Sequence, residues 1–342
     1  MKKLSGQSRF PLAAPKASIL IVALWSVALL SAFAVILNLQ IRQYLVLAKR
    51  LEQKDKLRFI AQAGILKGAL EIKNNPSKPY DWLGDSWSNN PAIFRGIEVG
   101  DGEFTLTSSR WDAQSSLKKI NYGCVDEESK ININKADQVT LARLFKAVLE
   151  CDDQLAQELA ACILDWRDAD SELTTPLSAE NFYYSGLSHP YAVKNSDFEV
   201  LDELLLVKGF DDNVFEKIKD YVTIYGEGKV NVNTAPQPVF FALGMDEDMA
   251  QKLVLFRAGK DSQEGTLDDN VFNAVSEILP RFCAAYTFSQ PRLEQLNRAV
   301  TLLGVSSANF LVRSSATIGG RTALVCVSAV SRSGKILYWK EE

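Results

Sequence analysis

The longest pattern in the chain lies at its amino end. From Ala17 to Ile41 no residue is charged, and between Ile19 and Leu37 the only polar side chains are Ser26 and Ser31. Leu, Ala, Ile and Val dominate without a Gly or Pro, so the run predicts a helix. At about 1.5 Å per residue it is long enough for a hydrocarbon core of about 30 Å. Helical character continues through Gln43–Arg50 and Phe59–Leu66, and the first clear breaker is Asn74-Asn75-Pro76-Ser77. Alternation then takes over. Gly96–Val99 and Glu103–Thr107 read as strands joined across Gly100-Asp101-Gly102 in a hairpin. Strands return at the carboxy end in Asn309–Ala316, Arg321–Val327 and Lys335–Trp339, separated by Gly319-Gly320 and Ser333-Gly334. Between these β-rich ends, from about Asn132 to Val300, the period is helical. Gln154–Leu164 places apolar residues three and four apart, and further helices are expected near 198–206, 212–222, 236–243, 247–258, 270–279 and 292–303.

A short repeat marks the helical region. Ile131-Asn132-Ile133-Asn134-Lys135-Ala136 recurs as Val230-Asn231-Val232-Asn233-Thr234-Ala235, and each copy leads into a helix. Two related helical units in series are expected, with the Asn and Thr side chains satisfying orphan amides at the helix starts. The arrangement that reconciles these patterns is α+β: a long amino-terminal transmembrane helix leads into an antiparallel sheet, into which a large α-helical domain is inserted.

Lys2, Lys3, Arg9 and Lys16 precede the apolar run and Arg42, Lys49 and Arg50 follow it, a bias that favours the amino end in the cytoplasm. Three readings of this segment compete. A secretory signal would be cut at a small-x-small site such as Ala32-Phe33-Ala34. A signal anchor would keep the whole segment. A type IV prepilin leader would be cut on the cytoplasmic side, leaving the apolar helix in the mature protein. The unbroken merger into a long amphipathic helix favours the third.

Ala17-Ser18-Ile19-Leu20-Ile21-Val22-Ala23-Leu24-Trp25 resembles the start of the K-class minor pseudopilins of type II secretion. So, in order and spacing, do Asp165–Glu172, Ala179–Tyr184, Leu204–Phe210 and Val230–Pro236. The resemblance covers nearly the whole chain. It implies a prepilin leader over 1–17 cut between Ala17 and Ser18, with Ala17 where Gly is usual, and methylation of the new terminus. It further implies a helix over 18–74 that spans the membrane at 18–38, a pilin-like β segment over 79–131, an inserted α-helical domain over 132–300, and strands over 301–342 that complete the pilin-like sheet. With Ser18 first, Val22 is the fifth mature position, where most pilin-like proteins carry Glu. An acid there is costly in lipid unless it meets the terminal amine of the subunit above. Its lack suits a subunit with nothing above it. The implied function is therefore a minor pseudopilin at the tip of the pseudopilus, initiating or capping assembly and aiding protein export across the outer membrane. The implied surroundings are the inner membrane with the globular part in the periplasm, minor pseudopilins of classes I, J and H, the major pseudopilin and a prepilin peptidase.

Charge and chemistry narrow the picture. The formal net charge is −4 and becomes −8 once the four leader cations are removed, so a phosphate backbone would be repelled by the body. Five cysteines without a C-x-x-C pair exclude a zinc ribbon, and the odd count leaves at least one thiol free or intermolecular. The single histidine, His189, precedes Pro190 in a loop and reads as solvated. Asp165, Asp168, Asp170, Glu172 and Glu180 form an acidic cluster whose hard oxygens suit Ca²⁺, which takes roughly 6–8 of them. The loop is not an EF-hand, and the resemblance implies a structural calcium site in the helical domain. The rival functional reading is a membrane-anchored helix-hairpin-helix DNA receptor of competence type. Against it, Lys208-Gly209-Phe210-Asp211-Asp212 and Leu243-Gly244-Met245-Asp246-Glu247-Asp248 set acids where phosphate would sit, and no nucleic acid is expected. Walker, H-E-x-x-H, Gly-x-Ser-x-Gly and Rossmann signatures are all missing, so an enzyme is not expected.

Overall fold

The computed structural model describes residues 16–75, 78–111 and 118–342, so most of the expected leader lies outside the described residues. The first helix, α1 (Lys16–Asn74), already includes positions 17 and 18 of the expected cleavage site. The chain divides into two compact units, one ending at Lys56 and the other Leu57–Glu342.

The first unit is helical, and every side chain from Ile19 to Lys56 is exposed. Among the described residues α1 is the one helix long and apolar enough to cross a membrane. The Ser26 hydroxyl donates to the Val22 carbonyl at 2.8 Å, so this polar group is satisfied inside the helix, as a lipid environment demands.

The second unit holds two cores. In one, Leu57, Ile60, Ala61, Ile65, Ala69 and Ile72 of α1 recur at three- and four-residue spacing and form the buried stripe of an amphipathic helix. Following the chain, α2 (Pro91–Phe94), β1 (Ile97–Val99) and β2 (Gly102–Leu106) come next. A hairpin of β3 (Ser108–Trp111) and β4 (Lys118–Asn121) leads to β5 (Val125–Asp126). A helical lobe follows, holding β6 (Ile131–Asn132), β7 (Val222–Thr223), β8 (Val230–Asn231) and β9 (Leu303–Gly304), and the chain then returns as β10 (Asn309–Ile318), β11 (Arg321–Ser331) and β12 (Ile336–Glu341). The sheet order is β1-β2-β10-β11-β12, all antiparallel, with β5 also on β10. Phe104, Leu106, Phe310, Val312 and Ala316 alternate inward to meet the α1 stripe. The helix approaches so closely that a Cβ on Gly64 would lie 2.3 Å from Ser314 Oγ and 2.9 Å from Phe104 Cδ2.

The lobe forms the other core, drawn from residues 131–305. It runs β6 (Ile131–Asn132), α3 (Gln138–Leu149), α4 (Asp153–Arg167), α5 (Asn181–Ser185), a 3₁₀ turn at Leu201–Leu206, α6 (Asp212–Ile218) and β7 (Val222–Thr223). It then repeats in shorter form as β8 (Val230–Asn231), α7 (Gln237–Ala242), α8 (Glu247–Arg257), α9 (Ile278–Ala285), α10 (Gln290–Val300) and β9 (Leu303–Gly304).

The Asn-x-Asn repeat is a structural repeat. Each copy opens on a two-residue strand that pairs in parallel with the strand closing the same copy, β6 with β7 and β8 with β9. Asn132 Oδ1 accepts from the Asn134 amide at 2.8 Å, and Asn231 Oδ1 from the Asn233 amide at 3.0 Å. The second Asn of each pair then clamps a distant Phe by both backbone groups. Asn134 holds Phe198 at 2.8 and 3.0 Å, and Asn233 holds Phe272 at 2.9 and 2.9 Å. These Asn side chains therefore do not cap the following helices, contrary to the sequence expectation. Asp137 caps α3 instead, accepting from the Thr140 amide at 2.8 Å, and Thr234 donates its hydroxyl to Asp126. The same clamps explain why the helices expected near 198 and 270 begin later, at Leu201 and Val275: a Phe held through its amide and carbonyl stays extended.

All five cysteines are free thiols, with Cys124, Cys162 and Cys326 buried.

Candidate metal centre

The centre begins on α4. Its buried face of Leu159, Cys162, Ile163 and Trp166 fixes the rotation of the helix and carries Asp165 fully inside. Asp165 Oδ1 accepts from the Thr174 amide at 3.0 Å, while Oδ2 accepts no hydrogen bond from any described residue. The chain leaves the helix at Asp168 in an extended conformation, and Asp170 Oδ1 makes a local turn by accepting from the Glu172 amide at 2.8 Å. Glu180 caps α5 with Oε2, which takes the Asn181 amide at 3.2 Å, leaving Oε1 buried without a donor. Beneath the loop, the Trp166 and Tyr184 rings meet edge to face at 5.3 Å and Tyr191 lies 5.4 Å from Tyr184, so α5 is held on α4 by aromatic contacts.

One oxygen each from Asp168, Asp170 and Glu180 falls within a mutual 4.8 Å. Burial comes first in raising the Asp168 carboxyl above its ordinary range, followed by the charges of Asp170 and Asp165. Glu180 is raised by burial and then, beyond an offsetting amide hydrogen bond, by Asp165, Asp168 and Asp170. Carboxylates so placed repel one another unless a proton or a cation joins them. Of the expected cluster, Asp168, Asp170 and Glu180 converge, and Asp165 lies near enough for its charge to raise both Asp168 and Glu180. Glu172 is exposed on the same loop and gives its amide to Asp170 instead of a carboxylate to the group.

Asn195, which is tied to the same loop, was not legible in the sequence. It sits at φ 49° and donates its amide to Trp166 O and its Nδ2 to Asp170 O, both at 3.0 Å. Its Oδ1 is another buried oxygen without a donor. Neutral and well beyond the acidic run, it carried no chemical signal in the sequence beyond its turn-like neighbours.

The donor set fits calcium. Asp165 Oδ2, Asp168 Oδ1, Glu180 Oε1 and Asn195 Oδ1 are acceptors that no described donor satisfies. A buried polar atom left so is costly unless a ligand completes it. All are hard oxygens, and no Cys or His joins them in the set.

The hairpins that raised the DNA reading are closed to phosphate. After Gly209, Asp211 Oδ1 takes the Val214 amide at 2.8 Å, and after Gly244, Asp246 Oδ1 takes the Met249 amide at 2.9 Å. The helix amides that would receive a phosphate already hold a carboxylate.

The segment 117–227, which contains the whole centre, matches the family model for type II secretion system protein K. Type II secretion system protein K of Aeromonas hydrophila is 33% identical over 44% of this chain and 46% of its own length. That of Pectobacterium carotovorum is 26% identical over 77% of this chain and 83% of its own. Over these segments the chain is similar to type II secretion system protein K. The first of these alignments takes in about half of its relative, whereas the second reaches most of both proteins. The fold agrees as well. A chain in the crystal structure of the GspK-GspI-GspJ complex from the enterotoxigenic Escherichia coli type 2 secretion system superposes with a TM-score of 0.62 at 18% identity, covering 86% of this chain and 97% of that one.

Proposed function

We propose that the chain is a minor pseudopilin of type II secretion. A single helix anchors it in the bacterial inner membrane, its body lies in the periplasm, and it occupies the tip of a short pilus-like fibre where it starts or caps assembly and aids export across the outer membrane. The observation that carries this reading is α1. One helix supplies both a lipid-compatible run and the buried stripe of Ile60, Ile65 and Ile72 beneath the sheet, the build of a pilin subunit. Val22, fifth when Ser18 is counted as the first residue, leaves no buried acid in need of an amine from above, which suits the tip. A prepilin peptidase would cut between Ala17 and Ser18, and the partners would be minor pseudopilins of classes I, J and H and the major pseudopilin. Two of those classes are supported by the GspK-GspI-GspJ complex that the fold resembles.

Asp165, Asp168, Asp170, Glu180 and Asn195 would hold Ca²⁺, whose charge neutralises the carboxylates and cross-links the loop after α4. The role is structural: these residues would close the 168–195 loop on α4, and among the described residues no Cys or His joins the acidic set.

Sequencing the mature amino terminus tests the reading. Ser18 is expected. Val35 would mean a secreted protein freed of its helix and Met1 an uncut anchor, and either would sink the pseudopilin assignment.

A further inference from the structure

The helical lobe is joined to the sheet by two crossings of the chain, one leaving through Asp126–Ile131 and one returning through Val305–Asn309. Both meet at one buried carboxylate. Asp126 Oδ2 accepts from Ser307 Oγ at 2.7 Å on the return crossing, from Asn231 Nδ2 at 3.1 Å in the second repeat, and from the Thr234 hydroxyl. Its Oδ1 takes the Glu128 amide at 2.8 Å. Glu128 in turn grips the return crossing, accepting the Asn309 amide at 3.0 Å and Asn309 Nδ2 at 2.8 Å. A third buried acid, Asp81, takes the Ser307 amide at 2.7 Å.

The charges around this joint do not balance evenly. Arg332 is committed to Asp81, Lys130 to Glu127, and Arg110 to Glu264. Asp126 and Glu128, buried two residues apart and close in space, have no cation of their own among the described ion pairs. Two adjacent carboxylates without a counter-ion are relieved by taking up a proton. The hydroxyls of Ser307 and Thr234 can rotate from donor to acceptor, so the joint survives protonation with its contacts intact.

We propose that the Asp126–Glu128 pair is a proton-operated clasp that sets how tightly the helical lobe is held on the sheet, tighter in mildly acidic surroundings and looser in alkaline ones. Burial, then the Glu128 charge, pushes Asp126 up to about 7, with Thr234 and Ser307 offsetting part of the rise and Asp81 adding to it. Glu128 is raised in the same direction, burial again first. The sign follows. Above the unfolded carboxylate range the closed joint binds a proton that the open one releases, so closure weakens as pH rises toward neutrality and levels off beyond. Arg110 faces Asp126 from β3 and Arg332 faces Asp81, so both cations limit the effect without removing it.

The experiment is hydrogen exchange on the full chain in detergent with calcium held in excess, read as protection factors for the amides of Asn231, Ser307 and Asn309. In the wild type, protection should fall between pH 5 and 7, by up to about tenfold per pH unit for one linked proton, while amides of the sheet centre such as Val312 stay level. Asp126→Asn keeps the shape and removes the titration, and should flatten the fall at these three amides; Glu128→Gln should flatten it partly. Flat wild-type protection, or an undiminished fall in both variants, overturns the clasp. The mature amino terminus is unaffected by either result, so this test is separate from that of the pseudopilin reading.

Discussion

Arg167 and Arg257 make the same pair of contacts in successive repeats. Each ends a helix and turns its guanidinium back on the Asn-x-Asn segment, Arg167 donating to the carbonyls of Ile133 and Ala136 and Arg257 to those of Val232 and Ala235. The two differ in surroundings. Arg257 is 2% exposed and paired with Glu264, whereas Arg167 is partly exposed at the edge of the acidic loop.

Arg257→Met should therefore cost about 3 kcal/mol, the low end for breaking a buried ion pair, because Arg110 remains on Glu264. Arg167→Met should cost about 1–2 kcal/mol, the loss of hydrogen bonds from a charged donor. Urea unfolding of the full chain in detergent checks both, and the order of the two losses is the test.

Calcium should stabilise the chain by about 2.7 kcal/mol at a hundredfold excess over its dissociation constant. Asp168→Asn and Glu180→Gln should abolish that gain, and Glu172→Gln should keep it. The ion-free chain runs the other way with pH. Asp168 and Glu180 are raised on folding, so their contribution is greatest in acid and is lost as pH climbs through the raised values. Calcium affinity should accordingly rise with pH. Thermal melts across pH, with and without the ion, read both slopes.

Gly64→Ala sets two effects against each other. Alanine gains about 1 kcal/mol of helix propensity, but its Cβ would lie 2.3 Å from Ser314 Oγ inside a closed core, and overpacking costs about 1–3 kcal/mol. Net destabilisation is expected. Pairing it with Ser314→Ala should recover part of the loss in the same denaturation assay.

The thiols should sort by burial. Cys124, Cys162 and Cys326 are raised by burial, Cys162 to about 12 and Cys326 to about 11, and should resist alkylation in the native state. Cys151 and Cys283 are partly exposed and should label. Mass spectrometry after brief native alkylation shows which, and reductant should leave the melting temperature unchanged.

The parts of the fold legible in the sequence were those with a strong local period. The unbroken α1, the β1–β2 hairpin and the closing β10–β12 meander all declare themselves by spacing and by Gly at the turns. Long-range devices did not. The two-residue strands β6 to β9 are too short to alternate, and the Phe198 and Phe272 clamps act through backbone groups that no side-chain pattern reveals. At the acidic loop, Asp165, Asp168, Asp170 and Glu180 were visible by charge, Asn195 was not, and Glu172 had the charge without the position. Asp126 looked like one acid among many because its partners, Asn231, Thr234 and Ser307, come from distant segments.

The place of β10 has a consequence for how the protein is made. It is the middle strand, hydrogen-bonded to β2, β5 and β11, yet it is synthesised only after the whole lobe. Until it emerges, β2 has no inner neighbour and the apolar stripe of α1 has half a surface to rest on. The earliest strands must wait for the latest, a high-contact-order step that slows folding. A chain stopped after Val305 would complete its lobe but leave this nursery of unpaired edges open to proteases, making the last stretch of translation the point at which the molecule becomes safe.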